Sequence, residues 1–132
     1  MKLREIIPEI IVKDISTSIE FYRDNLAFNV DLTAPETTPY TWCQLSLNNI
    51  NIMLQEHKTT LEEIDNFPEV LSSSNILLLK YDSVLGTKTL YNTLKNKGIQ
   101  FFSELRETEY GTVEFGIVDP DNYMILISAE EE

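Results

Sequence analysis

Two runs of alternating apolar and polar residues, 40–47 and 50–55, flank Asn48 and Asn49. Asparagine tolerates the positive φ that a two-residue hairpin turn demands. With the turn placed there, Leu47 faces Ile50, Leu45 faces Ile52, Gln44 faces Met53, Cys43 faces Leu54 and Trp42 faces Gln55. Side chains alternate between the faces of a strand. Leu45, Cys43, Ile52 and Leu54 therefore share an apolar face suited to packing under a helix. Trp42, Gln44, Met53 and Gln55 share the other, and Tyr40 stands on it two residues before Trp42. That set has the makings of a binding surface: an aromatic plate, a soft thioether and two amides. In the first strand-like segment the same rule groups Ile7, Glu9 and Ile11, so Glu9 points inward with them. A carboxylate beside Trp42 suits a cation. Tyr110 follows an acidic loop, 104–109, and is a candidate lid.

Each of these residues also fits a plainer role. Trp42 suits a core or a dimer interface. Glu9 suits a solvated edge, and if buried it needs a partner. Phe101, Phe102 and Phe115 read as core, with at most one reaching the pocket. Groups able to do covalent chemistry are scarce. Cys43 is the only cysteine, which excludes an intrachain disulfide, and no histidine or other base accompanies it. It reads as a packed thiol. His57 is the only histidine and falls just past a strand.

The elements that must position these residues come in a repeated order. Segment 6–12 is β-branched and apolar, a strand with Pro8 at its start or edge. A helix follows, capped within 14–17, where Thr17 and Glu20 fit a capping box. Ile15, Ile19, Tyr22 and Leu26 form its apolar stripe, and it ends near 25–27. Strands are expected at 28–33, 40–47 and 50–55. Residues 57–74 read as a linker, with a short helix within 57–66 and a hinge at Ser72-Ser73-Ser74. Then the order recurs: a strand at 75–81, a helix opened by Asp82-Ser83 and closed by Gly98, and strands at 99–105, 112–118 and 123–128. Leu90, Tyr91 and Leu94 lie on one face of that helix, and Asp119-Pro120-Asp121-Asn122 is a tight turn. The fold class is α+β, two tandem βαβββ modules, 4–56 and 75–129.

Bulk properties narrow the partners. The chain has 132 residues, 42% hydrophobic, with 10 Lys+Arg against 22 Asp+Glu and a net charge of −12. Such a chain repels phosphate backbones and anionic lipid surfaces, so nucleic acid and membrane are excluded as partners, whereas a cation is attracted. The same charge also serves solubility alone. With no signal peptide and no membrane-length apolar run, the expected location is the cytoplasm.

Three motifs in order carry a resemblance. They are Val12-Lys13-Asp14 followed by Ser18-Ile19-Glu20-Phe21-Tyr22, then Leu26-Ala27-Phe28, then Asp119-Pro120-Asp121-Asn122-Tyr123. The chain resembles the glyoxalase, bleomycin-resistance and extradiol-dioxygenase (vicinal oxygen chelate) superfamily, and Ile7-Pro8 is similar to its bleomycin-resistance branch. Ala27 and Asn122 stand where the family has Gly. Asparagine tolerates the left-handed turn, while Ala27 implies a helix exit at ordinary φ.

The resemblance implies a single glyoxalase-like domain over 1–132, its modules forming a cupped mixed sheet with helices outside. The residues of the hairpin face, Tyr40, Trp42, Gln44, Met53 and Gln55, would line the cup with Glu9 and Tyr110. Metal-dependent members hold a divalent ion on four positions that map here to Ile7, Met53, Asn75 and Leu126. Aliphatic side chains cannot coordinate, a thioether suits hard ions poorly and Asn is weak. A slip of the alignment recruits Glu9, Gln55 or Glu56 but not four donors. The expectation is no metal and no cofactor. The implied function is metal-free binding of a small, cationic or aromatic molecule, in a homodimer or with the modules pairing within the chain. The rivals are a metal-dependent glyoxalase-type lyase or isomerase, and a non-catalytic regulatory protein.

Overall fold

Residues 1–69 and 75–130 are described by the structure, a computed structural model. The chain divides into two units, Met1–Leu71 and Ser72–Glu132. The hinge expected at Ser72-Ser73-Ser74 lies outside the described residues.

The first unit runs β1 (Glu9–Val12), α1 (Ile15–Leu26), β2 (Asn29–Ala34), β3 (Trp42–Leu47), β4 (Ile50–Glu56) and α2 (His57–Glu63). Its sheet has the order β1-β4-β3-β2, with β1 parallel to β4 and the other pairs antiparallel. The second unit runs β5 (Ile76–Tyr81), α3 (Val84–Asn96), β6 (Phe101–Glu107), β7 (Thr112–Val118) and β8 (Met124–Glu130). Its order is β5-β8-β7-β6, with β5 parallel to β8, so the two βαβββ modules share one topology. The fold is α+β, with two four-stranded mixed sheets and three helices.

Local chemistry explains most boundaries. Asp14 caps α1: its carboxylate accepts the Ser16 N–H at 3.0 Å and the Thr17 hydroxyl at 3.0 Å. The cap is thus Asp14 and not the Thr17–Glu20 box, because the helix starts at Ile15 and Thr17 already lies in its first turn. In α3 the cap is Ser83, whose hydroxyl accepts the Gly86 N–H at 2.9 Å, and Gly98 follows the helix at φ 74°. Asn48 and Asn49 take φ of 50° and 69°, as the hairpin turn requires. Strand β1 is shorter than 6–12 and starts just after Pro8, whose carbonyl accepts the Met53 N–H at 2.9 Å.

Ala27 overturns the expected ordinary helix exit. It sits at φ 63° in the left-handed region, its N–H donating to the Arg23 carbonyl at 3.1 Å while Phe28 N–H reaches Tyr22. The closing bonds of α1, and the burial of Leu26 and Phe28 on either side, hold an L-residue where glycine is preferred. The strain of about 1–2 kcal/mol exceeds the roughly 0.5–1 kcal/mol that glycine's extra chain entropy costs. Ala27→Gly is therefore expected to stabilise the protein by about 0.5–1 kcal/mol, read from urea denaturation. A destabilised variant would show that the left-handed exit is wrong.

Helix α1 buries Ile15, Ile19, Phe21, Tyr22 and Leu26 over Ile10, Val12, Cys43, Leu45, Ile52 and Leu54. Helix α3 packs on β7 and β8, over Val113, Phe115, Ile117, Ile125, Ile127 and Ala129. Tyr91, Phe101 and Phe115 stack edge-on or tilted there, at 5.3 to 5.8 Å between ring centres. At the rim, Glu104 takes hydrogen bonds from Lys95 at 2.7 Å and from the Tyr91 hydroxyl, and Lys95 lies 5.0 Å over the Phe101 ring. The bond from Lys95, then that from Tyr91, holds the Glu104 carboxyl below its ordinary 4.5. A carboxylate lowered in the folded state contributes stability at neutral pH that is lost as the pH falls below 4.5 through the lowered value. Exposure keeps that contribution small. Glu104→Gln is accordingly expected to show a shallower fall in melting temperature between pH 7 and acid than the parent; equal slopes would show that the clamp does not form in solution.

Candidate functional site

In the first unit the face of the sheet opposite α1 is built from two rows of cross-strand neighbours. One row reads Glu9, Met53, Gln44 and Leu32; the other reads Ile11, Gln55, Trp42 and Ala34. The hairpin pairs Trp42–Gln55, Cys43–Leu54, Gln44–Met53, Leu45–Ile52 and Leu47–Ile50, as the alternation and the asparagine turn require. Burial separates the two faces. Cys43, Leu45 and Leu54 are sealed at 0% exposure, whereas Trp42, Gln44, Met53 and Gln55 are half-buried and Glu9 is exposed. The sealed thiol of Cys43 is pushed up to about 11 by burial, so at neutral pH it is a packed, protonated group and no nucleophile.

The parallel β1–β4 register decides the place of Glu9. Glu9 faces Met53, with Gln44 next in the row, whereas Trp42 belongs to the adjoining row. Glu9 and Trp42 are two strands and one row apart, about 12 Å between backbones at ordinary strand spacings. The expected carboxylate beside Trp42 is thus not in direct register with it. A different carboxylate comes closer to Trp42's neighbour. Glu63, in the last turn of α2, accepts a 3.0 Å hydrogen bond from Gln55 Nε2. Helix α2 is held for this by Thr60, fully buried with its hydroxyl donating to the Glu56 carbonyl at 2.9 Å, and by contacts with β1 and β4. His57, at the start of α2, uses Nε2 on the Pro68 carbonyl at 2.9 Å. Sequence reading missed Glu63, because it treats 57–74 as a linker and no local signal ties a helix residue to a strand eight positions back.

Tyr40 departs from expectation. Strand β3 starts at Trp42, so Tyr40 stands before it and the alternation does not extend to it. The chain at this point is tied by Thr41, whose N–H donates to the Ala34 carbonyl at 2.7 Å. Tyr40 is half-buried. Tyr110 belongs to the second unit, at the Thr108–Gly111 turn between β6 and β7, and is 89% exposed. The aromatic trio of that unit splits. Phe115 is sealed and Phe101 joins it on the helix side, but Phe102 lies on the opposite face, its ring directly over Gly116, where a Cβ would overlap it. A cavity of about 170 Å³ lined by Tyr81, Asp82, Ser83, Gly86, Thr87 and Leu90 opens at the start of α3. It is smaller than the roughly 300–1,000 Å³ of drug-sized ligand sites.

The side chains at the mapped metal positions do not fit a divalent ion. Ile7 precedes β1, Met53 sits in β4, Asn75 precedes β5 and Leu126 lies in β8. Two of the four are aliphatic and one is a thioether, and hard ions need oxygen or imidazole donors. Among the described residues no three His, Cys, Asp or Glu side chains come together. No helix among the described residues is long and apolar enough to cross a membrane.

The Asp119 turn closes the third motif. The Asp119 carboxylate accepts N–H groups from Asp121 at 2.8 Å and Tyr123 at 2.9 Å, and Asn122 takes φ 66°. Asparagine therefore fills a left-handed position without disturbing the turn.

These features agree with the comparisons to known proteins. Solved structures match over nearly the whole chain. A glyoxalase/bleomycin resistance protein/dioxygenase from Nocardioides has 18% identity and a TM-score of 0.76, covering 100% of this chain and 87% of that one. A protein of unknown function from Agrobacterium tumefaciens has 16% identity and a TM-score of 0.79, covering 99% and 97%. A glyoxalase-related enzyme from Fulvimarina pelagi has 16% identity and a TM-score of 0.78, covering 97% and 89%. At such identities the likeness is one of fold. No curated protein matches. The family model of the Glyoxalase/Bleomycin resistance protein/Dioxygenase superfamily matches residues 6–127. With twin βαβββ sheets and all three motifs inside that span, the chain belongs to the glyoxalase/bleomycin resistance protein/dioxygenase superfamily.

Proposed function

We propose that this protein binds a small aromatic cation without a metal, as a sequestering protein of the bleomycin-resistance kind, on the sheet face that carries Trp42. The observation that supports this most is the pair of rows on that face. Trp42, Gln44, Met53 and Gln55 form one contiguous, half-buried patch opposite a fully sealed core face. An indole plate attracts a cation through its ring quadrupole, and a fixed amide beside it sets orientation. Two carboxylates, Glu9 and Glu63, border the patch, within a chain of net charge −12. Both favour a positive ligand.

Trp42 is the only tryptophan, so its fluorescence reports on the patch alone. Titration with bleomycin and a panel of smaller aromatic cations is expected to quench it saturably. Trp42→Ala should then weaken binding by calorimetry about five- to thirtyfold, a stacking contribution of roughly 1–2 kcal/mol. If no panel member binds, or the alanine variant binds equally well, the reading fails. Stoichiometric metal in the purified protein together with turnover of a hemithioacetal would establish the lyase reading in its place.

A further inference from the structure

Gln55 is the cross-strand partner of Trp42, and Glu63 is its hydrogen-bond partner. The chemistry of that second contact fixes the orientation of the amide. An ionised carboxylate has acceptors only, so the atom of Gln55 facing Glu63 must be the NH2 group. Its oxygen, Oε1, is then held at the other end of the planar amide. A free glutamine offers a ligand either a donor or an acceptor. Gln55 held by Glu63 offers its carbonyl oxygen. Glu9, across the face, is likewise an acceptor.

We propose that Glu63 is a positioning residue that makes Gln55 a hydrogen-bond acceptor beside Trp42, so that the face selects aromatic cations bearing N–H donors over those whose charge is fully alkylated. This rests on the binding reading above and deepens it: the ligand class becomes amidinium, guanidinium or primary and secondary ammonium, attached to a ring. The selection follows from the cost of leaving a fixed acceptor unpaired against a ligand that has nothing to donate. Charge alone would not distinguish the two classes, because both carry the same unit charge over the same indole.

Two probes of equal charge and similar size separate these effects: benzamidinium, with four N–H bonds, and benzyltrimethylammonium, with none. The intact chain is expected to bind benzamidinium at least about tenfold tighter, the scale on which an unmatched hydrogen bond is felt. Glu63→Ala frees the amide to turn. It should weaken both probes through lost charge while narrowing their ratio to about threefold or less. A ratio unchanged in the variant, or a parent with no preference, overturns the selection. A second measurement needs no ligand. In a 15N-resolved NMR spectrum the side-chain NH2 pair of Gln55, donating to Glu63 in the parent, is expected to change its chemical shift in Glu63→Ala while the backbone amides of β4 stay in place. An NH2 pair indifferent to the substitution overturns the positioning itself. Failure of both probes to bind, with the NH2 coupling intact, instead overturns the ligand reading of the face and the selectivity with it.

Discussion

Phe115→Ala is expected to lower the thermal midpoint by about 10–20 °C, a loss of roughly 3–5 kcal/mol. Phe115 is fully sealed in the middle of β7, between Tyr91 at 5.4 Å and Phe101 at 5.8 Å, and faces Ile127 on β8. Truncation removes a ring from the centre of the second unit's core and leaves a cavity that the flanking strands cannot close. The two rings that lean on it lose their edge contacts as well, which adds to the transfer loss. Phe115→Leu keeps most of the volume and is expected to cost about 1–1.5 kcal/mol. Calorimetry of the three proteins checks this. A shift of only 2 °C or less for the alanine variant would show that β7 and α3 do not enclose Phe115 as described.

Asp119→Ala is expected to cost about 2–4 kcal/mol, although the side chain is polar and makes no contribution to the apolar core. Asp119 is only 4% exposed, and its carboxylate accepts the N–H groups of Asp121 and Tyr123. Removing it leaves two part-buried donors without their acceptor, at roughly 1–2 kcal/mol each. The turn also fixes where β8 begins, with Asp119 N–H donating to the Tyr123 carbonyl at 3.0 Å. Loss of the carboxylate therefore loosens the register of the central strand pair β7–β8. Asp119→Asn retains a side-chain oxygen acceptor and should lose less than half as much. Urea denaturation of both variants checks the order. If alanine and asparagine cost the same, ionisation and not the paired N–H acceptance is what matters. The D-P-D-N motif thus has a structural reason in this chain, and family resemblance at these residues speaks to the fold and not to catalysis.

How much was legible before the fold is clearest in the hairpin. The two asparagines, the alternation on either side and the two-residue loop are signals contained within about a dozen residues. Turn geometry propagates them without help, so all the named cross-strand pairs come out in register. The doubled βαβββ order is legible for a similar reason, since each helix and strand carries its own period and caps. The resemblance added the family, through motifs that the structure shows to be a helix cap, a helix exit and a turn.

The misses have the opposite character. Ala27 carries no local mark of its left-handed φ; only the closing bonds of α1 and the burial of Leu26 and Phe28 impose it. Tyr40 obeys the alternation on paper, but β3 begins two residues later.

For the patch around Trp42, the sequence by itself determined which side chains of the hairpin share a face, because a tight turn and a period of two leave one register. Only the tertiary structure decided which carboxylate serves them. Strand β1 reaches β4 through a crossover that includes α1, so no turn sets the parallel register that moves Glu9 into the row of Met53 and Gln44. Helix α2 folds back on β1 and β4 through the packing of Thr60, and that packing brings Glu63 to Gln55. Contacts of this kind depend on how elements dock, a property of buried surfaces distributed along the chain and not of any short run of residues.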